Sequence, residues 1–245
     1  MKKAAFFVEG ESELEFMSKL LVEIAGQKRI TIVQHKLFGG GKSGISRGIQ
    51  YIGRQTASNE EFQAWIYNCS ADNRVNTDIL DNHETLKNKG FDYIIGLKDL
   101  RGDKNGVSLS LSDLPRMELA DRVIARMSSI PTSLIIAVME IETWFLSETN
   151  HYPLIDQNLN QTLIASNQSS LGFNPFTDDL TLRVQPAEDL RKIYRLVRKT
   201  YNKKKNVRIR TINALDYSNI YFNLRNNILK IDDLISSIDD FLTNN

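Results

Sequence analysis

The sequence predicts an α/β protein, a mostly parallel sheet flanked by helices, with an α-helical C-terminal extension. Three observations carry this. Short apolar runs recur, and each stops at an acid or a glycine. Segments with apolar residues at helical spacing separate them. The two kinds of segment alternate as far as Glu148, the pattern that builds parallel strands with crossover helices on the sheet faces.

The first strand is read from Ala4-Ala5-Phe6-Phe7-Val8, which ends at Glu9-Gly10. Leu14, Phe16, Met17, Leu20, Leu21, Ile24 and Ala25 then follow a helical period, and Gly26 is its stop. Thr31 to Phe38 is β-branched enough for a second strand. The glycine run that follows leads into a segment read as a helix, Ile45 to Arg54. Residues 56–75 fit either a strand or a short helix around Phe62, Trp65 and Ile66. Thr77 to Lys89 is predicted helical, capped by Thr77 or Asn76 and ending at Gly90. Phe91 to Leu97 is the next strand, with a polar loop to Ser112. Asp113-Leu114-Pro115 opens a helix to about Ser128, with Asp113 as cap and proline in its first turn. Ser133 to Val138 is the last strand.

The composition changes beyond Glu148. Residues 149–180 are rich in Asn, Gln, Ser and Pro and read as a long connection or lid. From Pro186 the period is helical, with Leu190, Ile193, Tyr194, Val197 and Tyr201 on one face, and two more helices are expected near 211–225 and 230–242. The predicted domains are residues 1–148 and 149–245.

A formal charge of +1 excludes a global electrostatic signature of nucleic-acid or membrane binding. One cysteine, Cys69, rules out an internal disulfide and a cysteine-based zinc site. His35, His83 and His151 have no ligand-like spacing. Only five apolar residues separate Met1-Lys2-Lys3 from Glu9, too few for a secretory h-region, so the expected location is the cytoplasm.

Three predicted strands end in carboxylates: Glu9 after the first, Asp99 and Asp103 after the third, Glu140 and Glu142 after the fourth. Acids after strands commonly serve as helix caps. Three acidic strand ends in one short α/β segment suggest more, because ligands and chemistry collect at the carboxyl ends of parallel strands. Oxygen-only donors suit magnesium or manganese. Such a cation polarises phosphoryl oxygens and activates water, while a carboxylate left free of it can act as general base.

The segment Val8-Glu9-Gly10-Glu11-Ser12-Glu13 resembles the first motif of the Toprim fold. Asp99-Leu100-Arg101-Gly102-Asp103 sits where the second motif of that fold, Asp-x-Asp, belongs. Met139-Glu140-Ile141-Glu142-Thr143-Trp144 is similar to a third motif, Glu-x-Glu-x-Trp, of the Toprim-like DUF4276 and neighbouring groups, and Toprim domains also occur in the OLD-family nucleases. The resemblance covers about residues 4–148 well and extends loosely to Gln185–Tyr194. It implies a Toprim-like, metal-dependent nuclease of DNA or RNA in a bacterial anti-phage setting. It also implies a separate partner such as an ATPase, since no Walker motif is present. In its terms Glu9 is the acid–base residue, and Glu9, Asp99, Asp103, Glu140 and Glu142 surround magnesium or manganese. Glu13 either closes the helix terminus or orients Arg101 or a metal-bound water. Trp144 and Phe145 anchor the helix that carries Glu142.

Arg101 occupies the position of the second acid in Asp-x-Asp. It either holds a substrate phosphate bidentately or marks a scaffold that has lost catalysis. The second class of function is therefore a non-catalytic adaptor that binds nucleic acid or a partner protein.

Gly39-Gly40-Gly41-Lys42-Ser43 lacks P-loop spacing, because Lys36 stands where that motif needs glycine. Lys42 is read instead as a phosphate contact or as part of a plain turn. The cations from Arg191 to Arg210 include Arg198, Lys203, Lys204 and Lys205, read as a nucleic-acid contact. Tyr194 and Tyr201 lie among them, on the apolar face expected to pack in the core.

Overall fold

The computed structural model describes residues 1–40, 47–71, 74–100 and 111–243. The chain forms two compact units, one of Met1–Ile136 with Asp233–Asn245, the other of Ala137–Asp232. Among the described residues no helix is long and apolar enough to cross a membrane.

In chain order the first unit contains β1 (Lys2–Val8), α1 (Glu11–Ala25), β2 (Ile30–Phe38), β3 (Gly48–Gln55), β4 (Phe62–Asn68), α2 (Val75–Asn88), β5 (Tyr93–Asp99), α3 (Leu114–Met127) and β6 (Thr132–Ala137). The sheet order is β3-β2-β4-β1-β5-β6. β1 runs parallel to β4 and β5, and β2 runs parallel to β4. β3 is antiparallel to β2. The sequence-predicted α/β class, a mostly parallel sheet flanked by helices with a helical C-terminal region, is the observed one.

β1 is central, so both of its faces are covered, and this is why Ala4 to Val8 reads as an unbroken apolar run. On one face Ala5 and Phe7 join Tyr67, Cys69, Val75, Ile79, Leu86 and Ile94, under α2. On the other, Phe6 meets Phe241 edge-on at 6.1 Å, and Phe62 meets the same ring at 5.5 Å. Burying one such phenylalanine contributes about 1.5–3 kcal/mol. Gly96 of β5 is required for close approach: a Cβ there would come within 2.4 Å of Leu134 Cδ2 and 3.0 Å of Ile79 and Val75.

One expectation for this unit is corrected, and one left open between two alternatives is decided. The described residues of the segment read as a helix over 45–54 belong to a strand, β3, paired with β2 from Phe38↔Gly48 to Ile32↔Gln55. Ile45, Ile49 and Ile52 mimic a helical spacing, but β3 is an edge strand with little burial on either face, so no period-2 signal marks it. The segment left open between strand and helix is the strand β4, inserted between β2 and β1.

The second unit holds α4 (Glu142–Ser147), α5 (Tyr152–Ile155), α6 (Gln161–Ser166), α7 (Gln168–Leu171), α8 (Pro186–Arg195), α9 (Lys205–Ala214) and α10 (Tyr217–Phe222). Its aromatic core includes Trp144, Phe145, Tyr152, Tyr194 and Tyr201, all essentially inaccessible. The segment 149–180, read as a long connection or lid, contains a run of short helices and buries Tyr152, Leu159, Ile164, Leu171, Phe173 and Leu180. Glu148 organises this unit. Its carboxylate accepts from the backbone N–H groups of Asn150, His151 and Asp216 and from Asn219 Nδ2, at 2.9–3.1 Å. Burial would raise its pKa, but the hydrogen bonds from His151, Asn219 and Asp216 prevail and hold it below the usual value.

The last helix, α11 (Ile231–Leu242), belongs from Asp233 onward to the first unit. Lys2 and Lys28 donate to the carbonyls of Asp240, Thr243 and Leu242 at its C-terminal end. Cations at this pole offset the helix dipole and satisfy carbonyls that have no partner within the helix.

Candidate active site at the carboxyl edge of the sheet

The first unit contains a topological switch point. The connection leaving β1 travels through α1 to β2, while the connection leaving the neighbouring β5 travels through α3 to β6, on the opposite side. In open α/β sheets the crevice between two such diverging connections is where ligands bind. Val8 stands opposite Leu97 in this pair of strands. Glu9 therefore follows directly on one side of the crevice and Asp99 closes the strand on the other.

Glu9 is 8 % exposed and Glu13 5 % exposed, while Asp99 is half-buried. Glu9 is close enough to Cys69 that its charge helps to raise the thiol pKa, after burial and Asp78. Cys69 is thus a buried, protonated thiol, not a nucleophile. Gly10 is the N-cap of α1, with extended backbone and no side chain to cap with. Glu13 stands three residues on, where a carboxylate reaches back to the cap. Its Oε2 lies 3.0 Å from the point a Cβ on Gly10 would occupy, so glycine is what lets Glu13 fold over the strand–helix junction. Glu11 turns toward β4 and β2, accepting from Asn68 Nδ2 at 3.3 Å with Lys36 Nζ at 3.9 Å.

Asn68 is a polar residue of this rim that the sequence reading missed. It is 1 % exposed, ends β4 opposite Val8, and holds Ser70 N–H at 2.7 Å. Its signal is an amide at the end of an alternating run, visible only once β4 is recognised. Two buried charge pairs frame the same edge. Lys98 is paired with Asp121, and Asn76 Nδ2 donates to the same Asp121 oxygen at 3.0 Å. Arg47 is paired with Asp78 and donates to the carbonyls of Gly39, Leu37 and Cys69. These contacts tie α2, α3 and the β2 and β4 ends to the sheet.

Lys42, Arg101 and Asp103 lie outside the described residues. Glu140 and Glu142 belong to the second unit. Met139, immediately before them, has φ 66°, a left-handed conformation that costs an L-residue roughly 1–2 kcal/mol. Glu140 is half-buried. Glu142 is fully buried; its Oε1 accepts from Tyr201 O–H at 2.9 Å, and its Oε2 has no hydrogen-bond partner among the described residues. Arg198, Lys203, Lys204 and Lys205 are exposed in the second unit, whereas Tyr194 and Tyr201 are core. Among the described residues no three His, Cys, Asp or Glu side chains are grouped to hold a metal ion.

No family model and no curated protein matches the chain. Among solved structures, similarity is found to a Lactobacillus plantarum WCFS1 protein named as a "putative cell surface hydrolase", at 13 % identity and a TM-score of 0.30. The match covers 58 % of this chain and spans about half, 56 %, of that protein. At this level the likeness carries no argument about function.

Proposed function

We propose that the chain is a metal-dependent nuclease whose reaction centre is the crevice between β1 and β5. The observation that supports this reading is that Glu9, directly after β1, and Asp99, the last residue of the neighbouring parallel strand β5, both stand at the switch point. Both offer only oxygen, and magnesium is commonly held by one or two carboxylates, with water and substrate phosphate completing its shell. The donor set therefore fits a hard cation. Asp99 would hold it, with Asp103 as a further oxygen donor. When bound, such a cation supplies Lewis-acid polarisation of a phosphoryl oxygen and a more acidic water. Glu9 would take a proton from the attacking water or return one to the leaving oxygen. Glu13, folded onto Gly10, would orient Glu9's end of the crevice. Arg101 and Lys42 would draw the scissile phosphate by charge and hydrogen bonding.

Cleavage of labelled DNA and RNA in the presence of manganese tests this. Glu9→Gln and Asp99→Asn are each expected to abolish cleavage while the thermal unfolding midpoint stays near that of the wild type. Wild-type rates in both variants would reject the assignment.

A second reading, a nucleic-acid-binding or partner-binding adaptor, is favoured by Glu142, a predicted ligand whose carboxylate is fully buried against Tyr201. Calorimetry separates the two. The nuclease binds manganese and loses that binding in Asp99→Asn, whereas the adaptor shows no such difference.

A further inference from the structure

A row of aromatic side chains crosses the sheet in register, one from each of four strands. Phe7 of β1 stands opposite Tyr67 of β4, Tyr67 opposite His35 of β2, and His35 opposite Tyr51 of β3. Phe7 and Tyr67 are stacked at 4.8 Å, Tyr67 and His35 at 4.9 Å, and Tyr51 meets His35 edge-on at 6.2 Å. Exposure rises along the row, from nil at Phe7 to 8 % at His35 and 59 % at Tyr51. The row begins as core and ends as open surface. Trp65, two residues before Tyr67 and on the same face, packs 4.9 Å from His35.

Two polar atoms inside this aromatic cluster are unsatisfied. Trp65 Nε1 and His35 Nδ1 are buried and have no hydrogen-bond partner among the described residues. The cluster is also bordered by cations. Lys89 Nζ lies 5.4 Å from the Trp65 ring, and Lys3 Nζ lies 6.0 Å from Phe91, whose ring meets Trp65 edge-on. Arg54 stands opposite Val33, the register partner of Trp65, with Glu60 at 3.5 Å. β3 does not serve as a simple pairing edge, because the register steps from Gln34↔Gly53 to His35↔Tyr51 and leaves Ile52 as a bulge.

We infer that this face of β3, β2 and β4 is a stacking platform for a base of single-stranded nucleic acid. A base stacks on the exposed ring of Tyr51, which His35 meets edge-on from within the sheet, while Lys89 and Arg54 face the phosphates. Aromatic faces accept any base and neighbouring cations follow the backbone, the combination used by sequence-tolerant single-strand binders. Burial keeps the imidazole of His35 neutral at physiological pH, so its ring does not carry a second positive charge into the cluster. β3 and β1 are three strand spacings apart, about 14 Å. A strand held on Tyr51 thus lies within one molecule's reach of Glu9. The platform takes its meaning from the proposed nuclease site, but its test needs no cleavage.

The test is equilibrium binding of a short fluorescein-labelled oligodeoxythymidine, read by anisotropy in EDTA. Tyr51→Ala is expected to weaken binding about 5- to 150-fold, the loss of one stacked base, whereas Tyr51→Phe binds as the wild type does. Trp65→Phe, which keeps a ring and removes only a buried N–H, is expected to bind as the wild type does. Binding in EDTA is read without metal-dependent cleavage, so failure of the nuclease reading and failure of the platform give different results. Unchanged affinity in Tyr51→Ala would overturn the platform. Equal affinity for a blunt duplex, with the same insensitivity to Tyr51→Ala, would do so too. Tyr51 is a surface residue, so its removal leaves the core intact.

Discussion

Tyr201 donates its hydroxyl hydrogen bond to Oε1 of Glu142 at 2.9 Å, with both side chains inside the second unit. A buried carboxylate is costly unless hydrogen-bonded, so this contact decides how Glu142 is used. Tyr201→Phe keeps the ring and removes the donor. It is expected to destabilise the protein by about 2 kcal/mol, the range for a hydrogen bond to a charged group. Glu142→Gln is expected to cost less, because an amide oxygen still accepts from Tyr201. Urea unfolding midpoints measure both. Manganese calorimetry on Glu142→Gln adds the functional half: unchanged affinity removes Glu142 from the ligand set, and a marked loss retains it.

The pH dependence of stability follows from His35. Burial, with a smaller effect of Lys89, lowers its pKa from 6.5 to about 4. The unfolded chain therefore binds a proton between those two values that the native state refuses. Stability due to this group is complete above pH 6.5 and declines as the pH falls toward 4. Between pH 7.5 and 5 the loss is about 2 kcal/mol, from 1.36 kcal/mol per pKa unit. His35→Phe abolishes this titration, so the difference between wild-type and variant stability should shrink by that amount across the same window. Denaturant titrations at the two pH values provide the check; parallel profiles would show that His35 titrates normally.

The strands that position Glu9 and Asp99 were legible because their apolar runs are buried on both faces and end abruptly at an acid. β3 was not, since a bulged edge strand with Tyr51 and Ile52 exposed has neither alternation nor burial to announce it. The short helices after His151 were hidden by their asparagines. Asn160 is a helix cap, accepting from Leu163 N–H, where its composition suggested a loose connection. Nothing local marks α11 as part of the first unit, because the contact of Phe241 with Phe6 and Phe62 spans almost the whole chain. At the candidate site, the types and places of the acids could be read from sequence. The partner of Glu142 could not, since Tyr201 lies 59 residues away.

Gly10→Ala separates the two uses open to Glu13. The backbone at Gly10, φ −147° and ψ −166°, is extended and accessible to alanine, so the substitution is expected to leave stability unchanged or raise it by about 0.4–1 kcal/mol through the unfolded chain. The added Cβ would stand 3.0 Å from Glu13 Oε2, and the carboxylate must give way by a few tenths of an ångström. Misplacement of about 1 Å at a reaction centre can cost a hundredfold in rate, so a smaller shift should lower kcat on the order of tenfold. KM should change little, because the phosphate contacts are made elsewhere. A fall in kcat with preserved unfolding midpoint places the Glu13 carboxylate in the chemistry. Unchanged kcat restricts Glu13 to closing the N-terminus of α1, and Glu9 then acts without it.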